Sequence, residues 1–588
     1  MTDTGLQEGK RSLAPKSSPN MEGPRRPANS TAKAVGNWLD GHAETLFWAI
    51  FGGLMFIYLL PLALTRFLPF SDLPGHLGVV GALLHRHVPA AHIDRYYWLH
   101  PHFEPNSLEF TFTWLVARVT SVTTAARLFA ALCVALVPLA SAYTLKAFDR
   151  NPALALVTFP LSYPRIMWYG FMGSSLGVGL LILSLGLARQ TTREQDLLHP
   201  VLLGVILFLT GWAHPFFLAA AVPLSAIILF FGLVETPFTW KKVAGLAALL
   251  PPFVAFAGWF HRMSTGMASP HKVPKHHPSL WHHIVSHRPP LKVYRSWIEQ
   301  WSIHGYKSSH VEHETFRVLM ATMAILLTLG VTMAIWRIVR SSIRRDDQGR
   351  SRPGAWFLAS MARWRRWLPR SLTPLTLFGC VLTAYLTLPG IIHYPVEWWA
   401  VSQRLVTPLI LVGILVLPKI EPRWLLALGL GPIVVFAGSY GIFLANDFHN
   451  YFYRREMAGL APALRQIPPG KRVLGLYDDR EDHYAHFPLH FASAYYTALR
   501  GGMSLPFPMV AGYKKIAWAY PKKVPPSPAW GKLALFSYHR YGRFYDYFLI
   551  KRHGRRKTRW RRFPKRCVIV KGEYGLWIVV ERRHIPGC

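Results

Sequence analysis

Along residues 44–445 the apolar positions come in long unbroken runs with short polar breaks, the pattern of helices surrounded by hydrocarbon. The first run, TLFWAIFGGLMFIYLLPLAL at 45–64, matches the roughly 20 residues an α-helix needs to cross a bilayer core. Further runs at 123–147, 152–164, 170–188, 198–213, 215–233, 243–260, 314–336, 373–392, 404–418 and 424–445 bring the expected spans to about eleven. Two longer segments interrupt them, at 66–121 and 261–313. In the first, Leu77, Val80 and Leu84 recur at helical spacing, which predicts an interfacial helix over LPGHLGVVGALLHRH. SLEFTFTWLVARV predicts a second.

From residue 446 the pattern changes. NDFHNYFYRREMAGLAPALRQI predicts a helix with Asn446 or Asp447 as its N-cap. RVLGLYDD, YDYFLIK, CVIVKG and LWIVVER predict strands, and PLHFASAYYTALRGG predicts a helix stopped by Gly501. The expected fold class is a polytopic all-α membrane bundle at 44–445, carrying a small extracytoplasmic α/β domain at 446–588.

Composition sharpens this reading. With 51% hydrophobic and only 16% charged residues in 588, an ordinary soluble protein is excluded. Residues 1–43 are rich in Lys, Arg, Pro and Ser, predict a disordered basic tail, and have no early apolar core of a signal peptide. Lys and Arg gather in alternate short loops: the tail, Lys146 and Arg150, Arg189 and Arg193, TWKK at 239–242, the basic linker 337–371 and KIEPR at 419–423. The positive-inside rule then places the N-terminus in the cytoplasm and the loop 66–121, the loop 261–313 and the C-terminal domain outside. The linker contains WFLASMARWRRWL, an amphipathic piece suited to the inner leaflet.

Candidate chemistry sits at the outer breaks. In PFSDLPGH, Asp72 directly follows the first span, and a helix starting there puts His76 on the same face four residues on. Capping by Ser71 or Asp72, with Pro74 in the first turn, explains the motif equally well. Glu104 and Glu109 are the nearest further carboxylates. Arg404 opens a late span, Arg165 lies in YPRIMWYG, and His214 sits at the break in GWAHPFF. Each can snorkel or cap, or can face a phosphate. The histidines at 271, 276, 277, 282, 283 and 287 raise a divalent metal as an option, but no Cys or carboxylate spacing accompanies them, so no cofactor is assigned. The basic run KRHGRRKTRWRRFPKR suits anionic headgroups or glycans; nucleic acid is not expected outside the membrane. Cys133 and Cys380 fall within apolar spans, whereas Cys567 and Cys588 lie where a disulfide is allowed.

These features resemble the GT-C superfamily, integral-membrane glycosyltransferases such as protein mannosyltransferases, aminoarabinose transferases and oligosaccharyltransferases. The shared plan is a first span, an outward acid at its end, two interfacial helices and a cluster of short paired spans. Bacterial relatives carry Asp-x-Pro-x-His, here DLPGH, a Gly-Phe-rich start to a later span, here WYGFMGSSLGVGL, and an outer Arg, here in SQRLVTPLILVGI. The resemblance covers 44–445, with a weaker echo in YDYFLIK. It implies a polyprenyl-phosphate sugar as donor, an extracytoplasmic glycan, lipid or protein as acceptor, and a bacterial cytoplasmic membrane as the location. It also implies Asp72 as base with His76 its neighbour, and Arg404, Arg165 and His214 at the donor phosphate. The family's adjacent companion acid is absent, since Ser71 and Leu73 flank Asp72, which leaves Glu104 or Glu109 as second acid. The competing class is a non-enzymatic transporter or assembly scaffold for lipid-linked glycans. The spans are nearly free of mid-membrane charge, which favours the enzyme.

Overall fold

The structure is a computed structural model, and the residues it describes are 30–101, 104–194, 196–235, 240–266, 328, 332, 372–392, 398–417, 423–478, 488–506, 518–552 and 562–588. The chain divides into two compact units, Met1–Leu46 and Phe47–Cys588. The candidate histidines at 271–287, the basic linker, almost all of the run at 314–336 and residues 553–561 of the basic run lie outside the described residues.

Six described segments are long and apolar enough to cross a membrane: His42–Leu64, Val122–Ala147, Met172–Arg193, Pro215–Glu235, Val243–Met263 and Leu428–Glu456. The chain is thus a multi-pass membrane protein. In chain order we label the helices used below α1 (Ser30–Leu64), α2 (Leu73–Leu84), α3 (Leu108–Ala117), α4 (Val122–Ala147), α5 (Met172–Arg193), α6 (Leu198–Ala213) and α7 (Pro215–Glu235). They continue with α8 (Val401–Val416), α9 (Arg423–Asn446) and α10 (Ala494–Arg500). Helix α5 is the axis of the bundle: it packs against α4, α6 and α7, and Gly177 and Gly179 let Phe217 and Leu136 lie directly on its backbone. A Cβ at Gly177 would stand 2.6 Å from the Phe217 ring, too close for any other residue.

Two expectations change. The run at 152–164 is not an α-helical span; Pro152–Ser162 forms a buried 3₁₀ helix. Pro152, Pro160 and Pro164 remove backbone donors three times in thirteen residues, so a regular α ladder cannot persist. The expected N-cap at Asn446 or Asp447 is also absent: Asn446 has helical geometry and no capping bond, and the helix widens into a π-helical stretch, Asp447–Glu456. Tertiary packing overrides the local cap signal, because Phe448 is wholly buried against Phe70, Tyr163 and Trp168.

The C-terminal region forms a five-stranded sheet. Its strands are β2 (Arg472–Tyr477), β3 (Met503–Leu505), β5 (Tyr547–Lys551), β6 (Val568–Tyr574) and β7 (Trp577–Arg582), in the order β3-β2-β5-β7-β6. The β2 pairings to β3 and β5 are parallel, and β7 is antiparallel to both β5 and β6. The strand runs read from sequence fall on β2, β5, β6 and β7. Cys567 and Cys588 form a disulfide with Cα atoms 5.3 Å apart, tying the C-terminus beside β6.

The 66–121 segment and this region meet closely. β1 (Tyr97–Leu99) pairs antiparallel with β4 (Ala519–Pro521), α2 lies along α10, and the Tyr96 hydroxyl donates to the Gly470 carbonyl at 2.8 Å. Helix α2 is therefore held between the bundle and the sheet region.

Candidate functional site

Asp72 occupies the N-cap position of α2, yet its φ/ψ of −85° and −13° are helical and its side chain makes no capping bond. Pro74 in the first turn supplies the pre-set backbone without it. Asp72 is half-buried. The segment Trp168–Gly170 clamps its backbone: Ser71 N–H donates to the Trp168 carbonyl at 3.0 Å and Asp72 N–H to the Tyr169 carbonyl at 3.1 Å. Gly170, with φ +85°, permits the contact, since a Cβ there would lie 2.6 Å from the Asp72 nitrogen. Burial pushes the Asp72 carboxyl up to about 6; the nearby His76 lowers it and Glu109 raises it.

One turn on, His76 is buried and its Nδ1 donates to Glu109 Oε1 at 2.8 Å. The carboxylate can only accept, which fixes the proton on Nδ1. Burial alone would depress the imidazole, but the charge and hydrogen bond of Glu109, with Asp72 adding to them, hold it above the usual histidine range. Glu109 is itself buried in the first turn of α3. That turn is anchored from the bundle, because Trp212 Nε1 donates to Ser107 Oγ at 2.8 Å.

A second cluster lies at the start of α5 and α7. Arg404, buried in the first turns of α8, donates through Nη1 to Ser174 Oγ, contacts His214 Nε2 at 3.0 Å and lies 4.9 Å from the Phe171 ring centroid. The Phe216 N–H, an orphan donor of the first turn of α7, donates to His214 Nδ1 at 3.2 Å. A neutral imidazole accepts at only one nitrogen. Arg404 Nη1 can likewise only donate, so both ring nitrogens face donors and the two contacts compete for the one acceptor nitrogen. The Arg404 guanidinium is the positive charge that an oxyanion could meet here.

The two clusters are joined by one short stretch. Gly170 touches Asp72, Phe171 lies under Arg404, Ser174 accepts from Arg404, and Gly173 lies against the Ala213 carbonyl and Asn106. The Asp72 backbone and the Arg404 guanidinium therefore touch one five-residue stretch of chain.

Of the remaining candidates, Arg165 opens the short helix leading into this stretch and donates to the Tyr169 hydroxyl at 3.0 Å from Nη2. The structure separates the two glutamates. Glu109 joins His76, whereas Glu104 meets Arg262 at 3.4 Å near the surface. Sequence reasoning missed Phe171, Ser174, Ser107 and Trp212. The Gly-Phe-Met-Gly-Ser stretch is visible as a motif, but its contacts reach segments as far as 230 residues away.

No protein-family model matches the chain, and no curated protein matches it. Among solved structures, the chain is similar to ArnT from Cupriavidus metallidurans in a crystal structure bound to undecaprenyl phosphate. The identity is 12% and the TM-score 0.46, over 92% of this chain and 98% of that one. It is also similar to the Archaeoglobus fulgidus oligosaccharyltransferase, tethered to an acceptor peptide (10% identity, TM-score 0.38, 80% of this chain) and in the apo form (10%, 0.38, 78%). This chain spans 65% of that protein's length, just under two thirds.

Proposed function

We propose that this chain is a GT-C-like membrane glycosyltransferase that moves a sugar from a polyprenyl-phosphate donor to an extracytoplasmic acceptor. The observation that carries the reading is the Gly170–Ser174 stretch, which meets the Asp72 backbone at one end and the Arg404 guanidinium at the other. Polyprenyl phosphate is the donor class implied by the sequence resemblance, and the anion-directed donors are consistent with it.

In the proposed single displacement, the acceptor hydroxyl oxygen attacks the anomeric carbon while the bond from that carbon to the phosphate oxygen breaks. The bonding pair leaves with polyprenyl phosphate, whose growing charge meets the Arg404 guanidinium, which His214 helps to hold in place. Asp72, ionised above about pH 6, takes the hydroxyl proton. Arg165 stands one turn before the same stretch and is assigned a supporting part at the phosphate. We place the N-terminus in the cytoplasm, the C-terminal α/β region outside a bacterial cytoplasmic membrane, and the acceptor at that outer region.

The test is the lipid-linked sugar pool of cells lacking the protein, complemented with wild type or with Asp72→Asn at matched expression. A polyprenyl-phosphate sugar should accumulate, clear with wild type and persist with the Asn variant; general-base loss typically costs about 10²–10⁴-fold. If the well-expressed Asn variant clears the pool, Asp72 is not the base, and a transporter or assembly scaffold becomes the better account.

A further inference from the structure

We infer that Glu109 is a positioning residue: it is not a second acid toward substrate, but fixes the His76 ring with its charge beside Asp72, so that the Asp72 carboxylate stays ionised in a buried place. This deepens, and rests on, the reading of Asp72 as base. The geometry is a set of three groups from two elements, His76 and Glu109 buried and Asp72 half-buried. Asp72 and His76 are one turn apart on α2, and Glu109 of α3 receives the His76 Nδ1 proton at 2.8 Å. With Nδ1 engaged, Nε2 is the other face of the ring, and the ring is packed edge-on to Phe110 at 5.4 Å between centroids. A charged ring costs free energy in such surroundings unless a carboxylate accompanies it, which is what Glu109 supplies.

The other titratable groups packed around α2 do not take this part. Cys133 of α4 donates its thiol to the Met172 carbonyl at 3.5 Å. On β1, the Tyr97 hydroxyl faces Thr497. On α10, Arg500 faces His85 at the far end of the helix. From the segment packed over Asp72, Tyr169 offers its carbonyl to the Asp72 N–H and its hydroxyl to Arg165.

The consequence has a sign. Of the two neighbours that act on Asp72, His76 lowers it more than Glu109 raises it. Removing Glu109 has two outcomes. If the ring then loses its proton, Asp72 loses the larger, favourable influence as well as the smaller, unfavourable one, and becomes harder to ionise. If the ring keeps its proton, Asp72 becomes easier to ionise.

The experiment titrates Asp72 in the purified full-length protein without substrate. Dicyclohexylcarbodiimide, an apolar reagent, adds to protonated carboxyl groups, and its adduct on the Asp72 peptide is followed by mass spectrometry against pH. Wild-type labelling should fall with a midpoint near pH 6. His76→Gln should raise the midpoint by about one pH unit, the usual effect of losing one close opposite charge. Glu109→Gln should raise it by less. A lowered midpoint in Glu109→Gln overturns the inference, because the ring is then charged without its partner. An unmoved midpoint in His76→Gln overturns it independently, so the test stands even if one variant fails to fold. Either result leaves the proposed function intact, since that reading falls only if Asp72→Asn retains activity.

Discussion

Helix α2 carries a histidine near each end, and the two behave oppositely. His76 lies one turn from the N-terminus beside a buried carboxylate and is held above the usual histidine range. His85 is the C-cap residue and contacts the Ala498 carbonyl of α10 through Nε2 at 3.3 Å. Burial depresses it, the hydrogen bond to Ala498 opposes this, and Arg500 adds to the depression, so it is neutral near pH 7. The residue type is the same and so is the helix; what differs is the element each end rests on. The N-terminal end rests on the bundle through α3 and the Trp168–Gly170 segment, and collects charge. The C-terminal end rests on the sheet region through α10, and offers one hydrogen bond and close packing. One end gathers ionisable groups and the other supplies a docking contact.

The largest effect is expected from Asp72→Asn, at the chemical end, and it runs in two directions. Activity should collapse, as argued above, while stability at alkaline pH should rise. A carboxyl raised to about 6 in the folded state holds its proton after the unfolded chain has released it. Its contribution to stability is therefore present at low pH, falls as pH rises from about 4 to about 6, and stays lost above. The cost is of the order of 2 kcal/mol once partial exposure is allowed for. Asn is neutral throughout, so its thermal midpoint should exceed that of wild type at pH 8 and match it at pH 4. Equal midpoints at both would show that Asp72 is no more buried than an ordinary surface acid, and the contrast between the two ends would fail.

A similar energy is at stake at the docking end, without chemistry. A Cβ at Gly81 would meet the Ala498 Cα at 2.3 Å and the carbonyl oxygens of Thr497 and Ala498 at 2.9 Å, all backbone atoms that cannot swing aside. Gly81→Val should force α2 from α10 and cost about 1–3 kcal/mol, read as a lower thermal midpoint. An unchanged midpoint would mean that α2 does not lean on α10 in solution.

The same helix shows how much could be read from the chain alone. Its start, its proline and the shared face of Asp72 and His76 follow from spacing, and so do strands β2, β5 and β7, whose apolar runs are short and bounded by turns. The partners were not legible. Nothing near Glu109 sets it apart from Glu104 five residues earlier; the choice is made by Trp212 anchoring Ser107, a contact across 105 residues. Arg404 and His214 were each flagged, yet their pairing depends on how α7 and α8 fall on the first turn of α5. The failures at Pro152–Ser162 and Asn446 have the opposite cause: local signals were present, but three prolines in one case and buried Phe448 in the other decided the geometry.

The smallest expected effect is the sharpest control. His85→Gln keeps an N–H donor for the Ala498 carbonyl and removes a ring that is already neutral near pH 7. Stability should change by no more than about 0.5 kcal/mol. The Asp72 labelling midpoint should stay where wild type has it, because a neutral group two turns or more away adds no charge to the site. His76→Gln makes the same chemical change on the same helix and should move that midpoint by about one pH unit. If both variants move it alike, the Asp72 carboxyl responds to α2 as a whole, through its seating or its backbone, and the local line from Glu109 through His76 is not what governs it. If only His76→Gln moves it, the effect belongs to the charged ring, and the neutral histidine at the other end can be read as a docking contact alone.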